Sequence, residues 1–146
     1  MVTESELRTY TKEFFNLYWN PSIGQIPDWS EIHWDFNSEI PNHDKRGCYA
    51  LFHDGEVVYI GIGIGNSFGT YRGSGLGDRL KRYWQVNKET NPQKKYKPKG
   101  EWADKGITSI LTIGFPSEHY HLAAGLEIYL IEKLQPLYNF NHNTNL

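Results

Sequence analysis

The run from Leu122 to Ile131 (LAAGLEIYLI) holds one charged residue, Glu127. A helix of that composition is apolar nearly all round and is expected to be largely buried. An ionised carboxylate on it is costly unless it is paired or bound to a cation. Glu127 is therefore either half of a buried ion pair, with Arg79 as the partner, or a ligand for a metal ion. Arg79 and Tyr83 stand four apart in a segment that reads as a helix from Asp78 to about Lys88, so they share a face. Tyr49 and Tyr59 lie in two segments of period-two pattern. A carboxylate, a guanidinium and three phenols gathered in one place could bind an anion, hold a divalent cation and move a proton.

The elements that must position these groups follow from local pattern. Thr3 followed by Glu6 reads as a capping box, opening a helix to about Trp19 with Leu7, Tyr10, Phe14, Leu17 and Tyr18 on its apolar side. Asn20-Pro21 ends it. Residues 20–46 read as an irregular stretch carrying Trp29, Trp34 and Phe36. Cys48–Phe52 and Glu56–Ile60 form a hairpin, read with a three-residue loop that ends at Gly55. That register pairs Phe52 with Glu56 and sets Tyr49 directly opposite Tyr59, both on one face of the sheet. Residues 61–77 hold seven glycines and read as a loop. A long loop from Glu89 to Gly106 follows the Arg79 helix. Ile107–Phe115 is the third strand, and Ser117 is expected to cap a helix from Glu118 to about Gln135, stopped by Pro136. The fold class is α+β: a small three-stranded antiparallel sheet flanked by helices, over 47–146, with an N-terminal helical extension over 1–46 packed on it.

These residues resemble the GIY-YIG nuclease family. Gly47-Cys48-Tyr49 followed by Tyr59-Ile60-Gly61 is similar to the family signature, with Cys in place of the central Ile. The resemblance continues through Arg79 and Tyr83, then Glu127, then Pro136-Leu137-Tyr138-Asn139, and covers about residues 47–141. It implies hydrolysis of DNA phosphodiester bonds, branched or single-stranded DNA included, with one divalent ion (Mg²⁺ or Mn²⁺) on Glu127. One carboxylate suits Mg²⁺, which keeps waters and takes phosphate oxygens as further ligands. Arg79 is expected to neutralise charge on the phosphate. Tyr49 is favoured as the general base, its pKa lowered by Arg79 and metal, with Tyr59 positioning the water; the opposite assignment of the two stays open. Tyr83 is expected to bond a phosphate oxygen or water, and Asn139 to order the site. Two features depart from the family pattern. Ile62 stands where a polar or basic residue is common, and the stretch from Gly61 to Arg79 is long. Asn66, Ser67, Tyr71 and Arg72 are there to supply the missing contact.

Charge distribution agrees with a polyanionic partner. The net charge is −2, yet residues 72–105 carry ten of the fifteen Lys and Arg against four acids. Arg72, Arg82, Lys88, Lys94, Lys95, Lys97 and Lys99 are the expected nucleic-acid contacts, and a solvated lysine loop is the plain alternative. One cysteine, Cys48, excludes an intrachain disulfide and a cysteine zinc cage. No signal-peptide stretch or membrane-length apolar run is present, so a cytoplasmic protein without a membrane partner is expected. Oligomeric state is not readable. His119 and His121 do not share a helical face, which disfavours a metal pair. The glycine runs lack the spacing of a nucleotide loop. A nucleic-acid-binding module that does not cut is the alternative function. An enzyme for a small anionic substrate is a third, disfavoured by the lysine-rich segment.

Overall fold

The computed structural model describes residues 1–64, 75–86 and 96–141. The elements in chain order are α1 (Glu4–Tyr18), β1 (Arg46–His53), β2 (Glu56–Gly63), α2 (Leu76–Lys81), β3 (Trp84–Val86), β4 (Tyr96–Pro98), β5 (Ser109–Phe115), α3 (His121–Leu134) and α4 (Leu137–Asn141). Strands β2, β1 and β5 form an antiparallel sheet in that order. Strands β3 and β4 make a separate two-stranded ribbon. The protein is thus α+β, with a three-stranded antiparallel sheet between helices. Among the described residues no helix is long and apolar enough to cross a membrane.

Helix α1 begins as expected, with reciprocal bonds between Thr3 and Glu6. Its buried face agrees with the expected one at Leu7 and Phe14, with Tyr10 packed beside them, and differs elsewhere. Leu7, Thr11, Phe14 and Phe15 point inward, while Leu17 and Tyr18 are exposed. Thr11 is tolerated inside because its hydroxyl donates to Leu7 O at 2.7 Å and accepts from Trp29 Nε1 at 2.8 Å.

The stretch after α1 does more than pack on the surface. Trp34 N donates to Ile110 O, and Ile110 N returns the bond to Trp34 O. Ser30 N bonds Thr112 O in the same way, so residues 29–34 close the free edge of β5. Trp29 enters the core on the α1 and α3 side of the sheet, and Trp34 and Ile40 enter the one beneath α2.

The hairpin register departs from expectation at two places, and the second restores what the first disturbs. The turn is two residues, Asp54 and Gly55, both at positive φ as a tight primed turn requires, so His53 pairs with Glu56. That one-residue shift alone would send Tyr59 to the opposite face from Tyr49. A bulge then falls between the Leu51–Tyr59 and Phe52–Val57 pairs, leaving Val58 unmatched. Val58 and Tyr59 consequently face the same side, and Tyr59 returns to the face of Tyr49 and Leu51. Tyr49 sits opposite Gly61 rather than Tyr59.

The expected helix from Asp78 to Lys88 is also corrected. Helix α2 stops at Lys81, and Trp84 opens β3, whose Gln85 pairs with Lys97 of β4. Burial decides this: Trp84 is fully enclosed against Trp34 and Phe36, and Tyr96 N donates to Phe36 O. The segment expected as one loop therefore holds β4 and a 3₁₀ turn, Gly100–Trp102. Helix α3 begins at His121, with Tyr120 rather than Ser117 at its cap. It ends at Gln135, left-handed at φ 51°, before Pro136. One face is buried, Ala123, Leu126, Leu130 and Leu134, whereas Ile128 is exposed. The helix expected to be largely buried is buried or half-buried over most of 122–131 and open at Ile128.

Candidate active site

Tyr49, Tyr59, Arg79, Tyr83 and Glu127 lie together at the β2 side of the sheet. The Tyr49 and Tyr59 rings are 6.1 Å apart between centroids. The Arg79 guanidinium lies 5.7 Å from the Tyr83 ring centre. Arg79 reaches this place from the last turn of α2, and Tyr83 from the turn that follows, so the two do not share a helix. Glu127 comes from α3 on the opposite side of the sheet. Edge strand β2 is where groups from both faces can meet.

Two glycines make the approach physically possible. The Tyr49 ring lies over Gly61, and a methyl group there would overlap the ring and its hydroxyl. Gly63 lets the backbone of Leu76 and the Cβ of Arg79 come within van der Waals range of β2. The second glycine thus seats the helix that carries the guanidinium.

Asn139 holds the edge strand. Its Oδ1 accepts from Ile60 N at 2.8 Å and its Nδ2 donates to Ile60 O at 2.9 Å. A side-chain amide so used replaces the missing neighbour strand and fixes the residue next to Tyr59. The Asn139 side chain therefore ties α4 to the backbone of β2.

Among the described residues, several polar groups at the site are without partners. Tyr49 Oη and Arg79 Nε are buried and make no hydrogen bond among the described residues. Glu127 is half-buried and, among the described residues, forms neither an ion pair within 4 Å nor a side-chain hydrogen bond. The ion pair with Arg79 is therefore not formed, although Arg79 is near enough to favour the charged form of Glu127. Burial outweighs that help and holds the carboxyl above its ordinary range.

The phenols show the same dominance of burial. Tyr49 is pushed well above the usual phenol value, first by burial and then by Tyr59, with Arg79 opposing. The Arg79 guanidinium is close enough to favour a phenolate, yet the bond to Tyr49 Oη is not completed. Tyr59 is raised by burial, by Tyr83 and by Glu127. The lowered Tyr49 pKa expected from the sequence is thus reversed in the protein alone. Tyr49 is fully enclosed, while Tyr59 is half-buried and open to solvent.

An aromatic wall completes the site, and the sequence reading missed it. Trp102 is buried, with its ring 4.8 Å from Tyr59, 6.0 Å from Tyr83 and 5.9 Å from Tyr138. A lone Trp among Lys, Asp and Gly was the available signal, because such a large apolar ring is rarely left in a solvated loop. Glu101, beside it, adds to the negative field at Tyr59.

Among the expected nucleic-acid contacts, Arg82 and Lys97 are exposed and Lys99 is half-buried. Lys99 N donates to Tyr83 O, which places these cations along the Tyr83 border of the site. Arg72, Lys88, Lys94 and Lys95, and the compensating residues Asn66, Ser67 and Tyr71, lie outside the described residues. Among the described residues no three His, Cys, Asp or Glu side chains gather as a metal cage. A single unpartnered carboxylate fits only an ion that draws its other ligands from water and substrate, which is the habit of Mg²⁺. Cys48 is buried, its thiol donating to Ala123 O at 3.1 Å, and burial holds it well above the ordinary thiol value. No family model matches this sequence, and neither a curated protein nor a solved structure matches it.

Proposed function

We propose that the protein is a divalent-metal-dependent endonuclease of the GIY-YIG type, hydrolysing phosphodiester bonds in DNA. The observation that carries this reading is the set of unsatisfied groups in one aromatic-walled place: the Tyr49 hydroxyl, Arg79 Nε and the Glu127 carboxylate. Buried polar groups are normally paired, and orphans that converge are expected to find their partners in a ligand. An anion for Arg79 and a cation for Glu127, side by side, describe a phosphate with its metal. The order of Tyr49, Tyr59, Gly61, Arg79, Glu127 and Asn139 along the chain supports the family assignment and a GIY-YIG-like fold.

Glu127 would hold Mg²⁺ or Mn²⁺, which would supply Lewis acidity at the phosphoryl oxygen and charge stabilisation for the departing oxygen. Arg79 binds a non-bridging oxygen and meets the charge that grows on phosphorus substituents. Accessibility favours Tyr59 over Tyr49 as the base that takes the proton from attacking water. Neutralising the Glu127 charge removes one of the groups that hold the Tyr59 pKa up. Tyr49 then donates its hydroxyl to the phosphate or to the water, and Tyr83 borders the same oxygen. The water oxygen bonds to phosphorus as the bond to the leaving sugar oxygen breaks, and solvent protonates that oxygen.

The raised phenols favour a second reading, a nucleic-acid-binding module that does not cut. Incubating plasmid and single-stranded DNA with wild type and Glu127→Ala, in Mg²⁺ or EDTA, separates the two. Metal-dependent cutting by wild type alone is expected. Binding by wild type without cutting would select the module, and no binding at low salt would remove both readings.

A further inference from the structure

Outside the tyrosine cluster, one other group of side chains has the parts of a nucleophilic site. His33 lies between Ser109 and Glu4. Its Nδ1 is 2.8 Å from Ser109 Oγ, and its Nε2 is 2.6 Å from Glu4 Oε1. A serine within hydrogen-bond reach of a base, with that base oriented by a carboxylate, is the arrangement that activates a hydroxyl for attack.

Chain pairing brings the three together. Trp34 and Ile110 exchange both backbone bonds and so stand opposite each other, with their side chains on the α2 side of the sheet. His33 and Ser109 are then diagonal neighbours on the other face, the α1 side. Phe52, paired with Ser109 in the sheet, sets its ring edge-on to the imidazole at 4.7 Å between centroids. Glu4 enters from the first turn of α1.

The bonding decides which ring nitrogen is the base. Glu4 accepts from Arg8 Nε through Oε2 at 2.9 Å, which leaves Oε1 for His33. Against the cost of burial, the bonds from His33 and Arg8 hold this carboxyl below its ordinary range, so it is an acceptor only. Nε2 therefore carries the proton, and in the neutral ring Nδ1 turns its lone pair to the Ser109 hydroxyl. The side chains of His33 and Glu4 keep 32% and 38% of their exposure, and Ser109 is half-buried, so the group opens on solvent.

We propose that Ser109, His33 and Glu4 form a second site, of esterase type, which acts on small carboxylic esters with a good leaving group. Ser109 Oγ bonds to the carbonyl carbon as its proton passes to His33 Nδ1. The bond from that carbon to the leaving oxygen then breaks, and the leaving oxygen takes the proton from Nδ1. Water attacks the acyl-serine by the same route, which releases the acid and restores the hydroxyl. Glu4 is a positioning residue: it holds the ring and stabilises the imidazolium that forms. An ester with a good leaving group asks least of an oxyanion pocket, which selects that class. The proposal does not rest on the nuclease reading.

The test treats the protein with p-nitrophenyl acetate and, separately, with an alkyl fluorophosphonate, and locates the modified residue by peptide mass mapping. In the second reaction Ser109 Oγ bonds to phosphorus and fluoride leaves. Wild type is expected to carry the label on Ser109, and Ser109→Ala to carry none. His33→Gln should slow labelling about 10²-fold, and Glu4→Gln about tenfold. Ring-nitrogen NMR at about pH 9, where an imidazole is neutral, should show the Nε2–H tautomer of His33 in wild type and a mixture in Glu4→Gln. A role for Glu4 in stability alone would leave the tautomer unchanged. Mapping and NMR of wild type need no variant, so a variant that fails to fold does not blunt the test. Label on other side chains only, equal labelling of Ser109 in folded His33→Gln, or an Nδ1–H tautomer in wild type would each overturn the site and leave the three residues as a clasp between α1 and β5.

Discussion

Two glutamates, each partly shielded from water, have opposite surroundings. Glu4, at the start of α1, accepts from Arg8 Nε at 2.9 Å and meets His33 Nε2 at 2.6 Å. The other ring nitrogen of His33 contacts Ser109 Oγ at 2.8 Å, and Arg8 reaches Ser30 O and Asp28. This network joins α1, the stretch after it and β5. Against the cost of burial, the bonds from His33 and Arg8 hold the Glu4 carboxyl below its ordinary range. Glu127 has no such bonds, and burial holds it above that range. The first region uses its polar groups to fasten one part of the chain to another. The second leaves them unsatisfied among the described residues, which costs stability in the protein alone.

The comparison breaks most clearly if Glu127 proves silent. Glu127→Gln is expected to lower metal-dependent cutting of plasmid DNA by at least about 10²–10³-fold, equivalent to about 3–4 kcal/mol of barrier. Its melting temperature should equal or exceed that of wild type, since an unpartnered carboxylate is removed. Full cutting by the variant, or a large loss of stability, would place Glu127 with Glu4 as a structural group.

Asn139→Ala probes a group at the site that is used structurally. It leaves the buried N–H and C=O of Ile60 without partners, and a loss of about 2–3 kcal/mol is expected. Urea denaturation measures it, and cutting should fall as well because Ile60 adjoins Tyr59. A variant as stable as wild type would mean that water replaces the amide and that β2 holds its own edge.

Glu4→Gln is expected to cost about 1 kcal/mol, reduced from a fully buried network because the side chain is partly open to solvent. Cutting should not change. The pH dependence of the two glutamate variants sharpens the contrast, because the signs oppose. The folded pKa of Glu4 is depressed, so its contribution is present above the ordinary carboxyl value and is lost as pH falls through the folded value. The folded pKa of Glu127 is raised, so wild type loses stability as pH rises through that value. Measured against wild type, Glu4→Gln should therefore become less stable, and Glu127→Gln more stable, as pH rises from acid to neutral. Both differences should shrink toward acid. Parallel profiles would show that neither group is perturbed as described.

How much of this was legible in the sequence depends on the range of the forces involved. The Thr3 and Glu6 cap and the three strands are local signals, and the structure follows them. The grouping of Tyr49, Tyr59, Arg79, Tyr83 and Glu127 was legible as well, but partly through compensating differences. The tighter Asp54-Gly55 turn and the Val58 bulge cancel, so Tyr59 keeps its face although its partner is Leu51. Helix α2 ends early because Trp84 is captured by Trp34 and Phe36, a contact across about fifty residues that no window of sequence displays. The inward turn of Phe15 and Thr11 in place of Leu17 and Tyr18 depends on where Trp29 docks. The reversal of the Tyr49 pKa is likewise tertiary. The sequence places an arginine near the phenol, but only packing shows that burial dominates.

Tyr49→Phe gives a small expected gain in stability and the most direct test of what the unsatisfied groups are for. In the protein alone the hydroxyl is enclosed, raised in pKa and without a hydrogen-bond partner, so its desolvation is uncompensated. Phenylalanine keeps the ring over Gly61 and beside Tyr59 while removing that cost, and stability should rise by up to about 1 kcal/mol. A purely structural tyrosine would show that gain with no other consequence. Under the proposed function the hydroxyl finds its partner only when phosphate or water is bound, so cutting should fall about tenfold or more while the fold becomes firmer. Tyr59→Phe, at the more open position, should lose more activity and change stability less. A stabilised Tyr49→Phe with undiminished cutting would remove Tyr49 from the chemistry and leave Tyr59 as the sole tyrosine of the signature that acts on substrate.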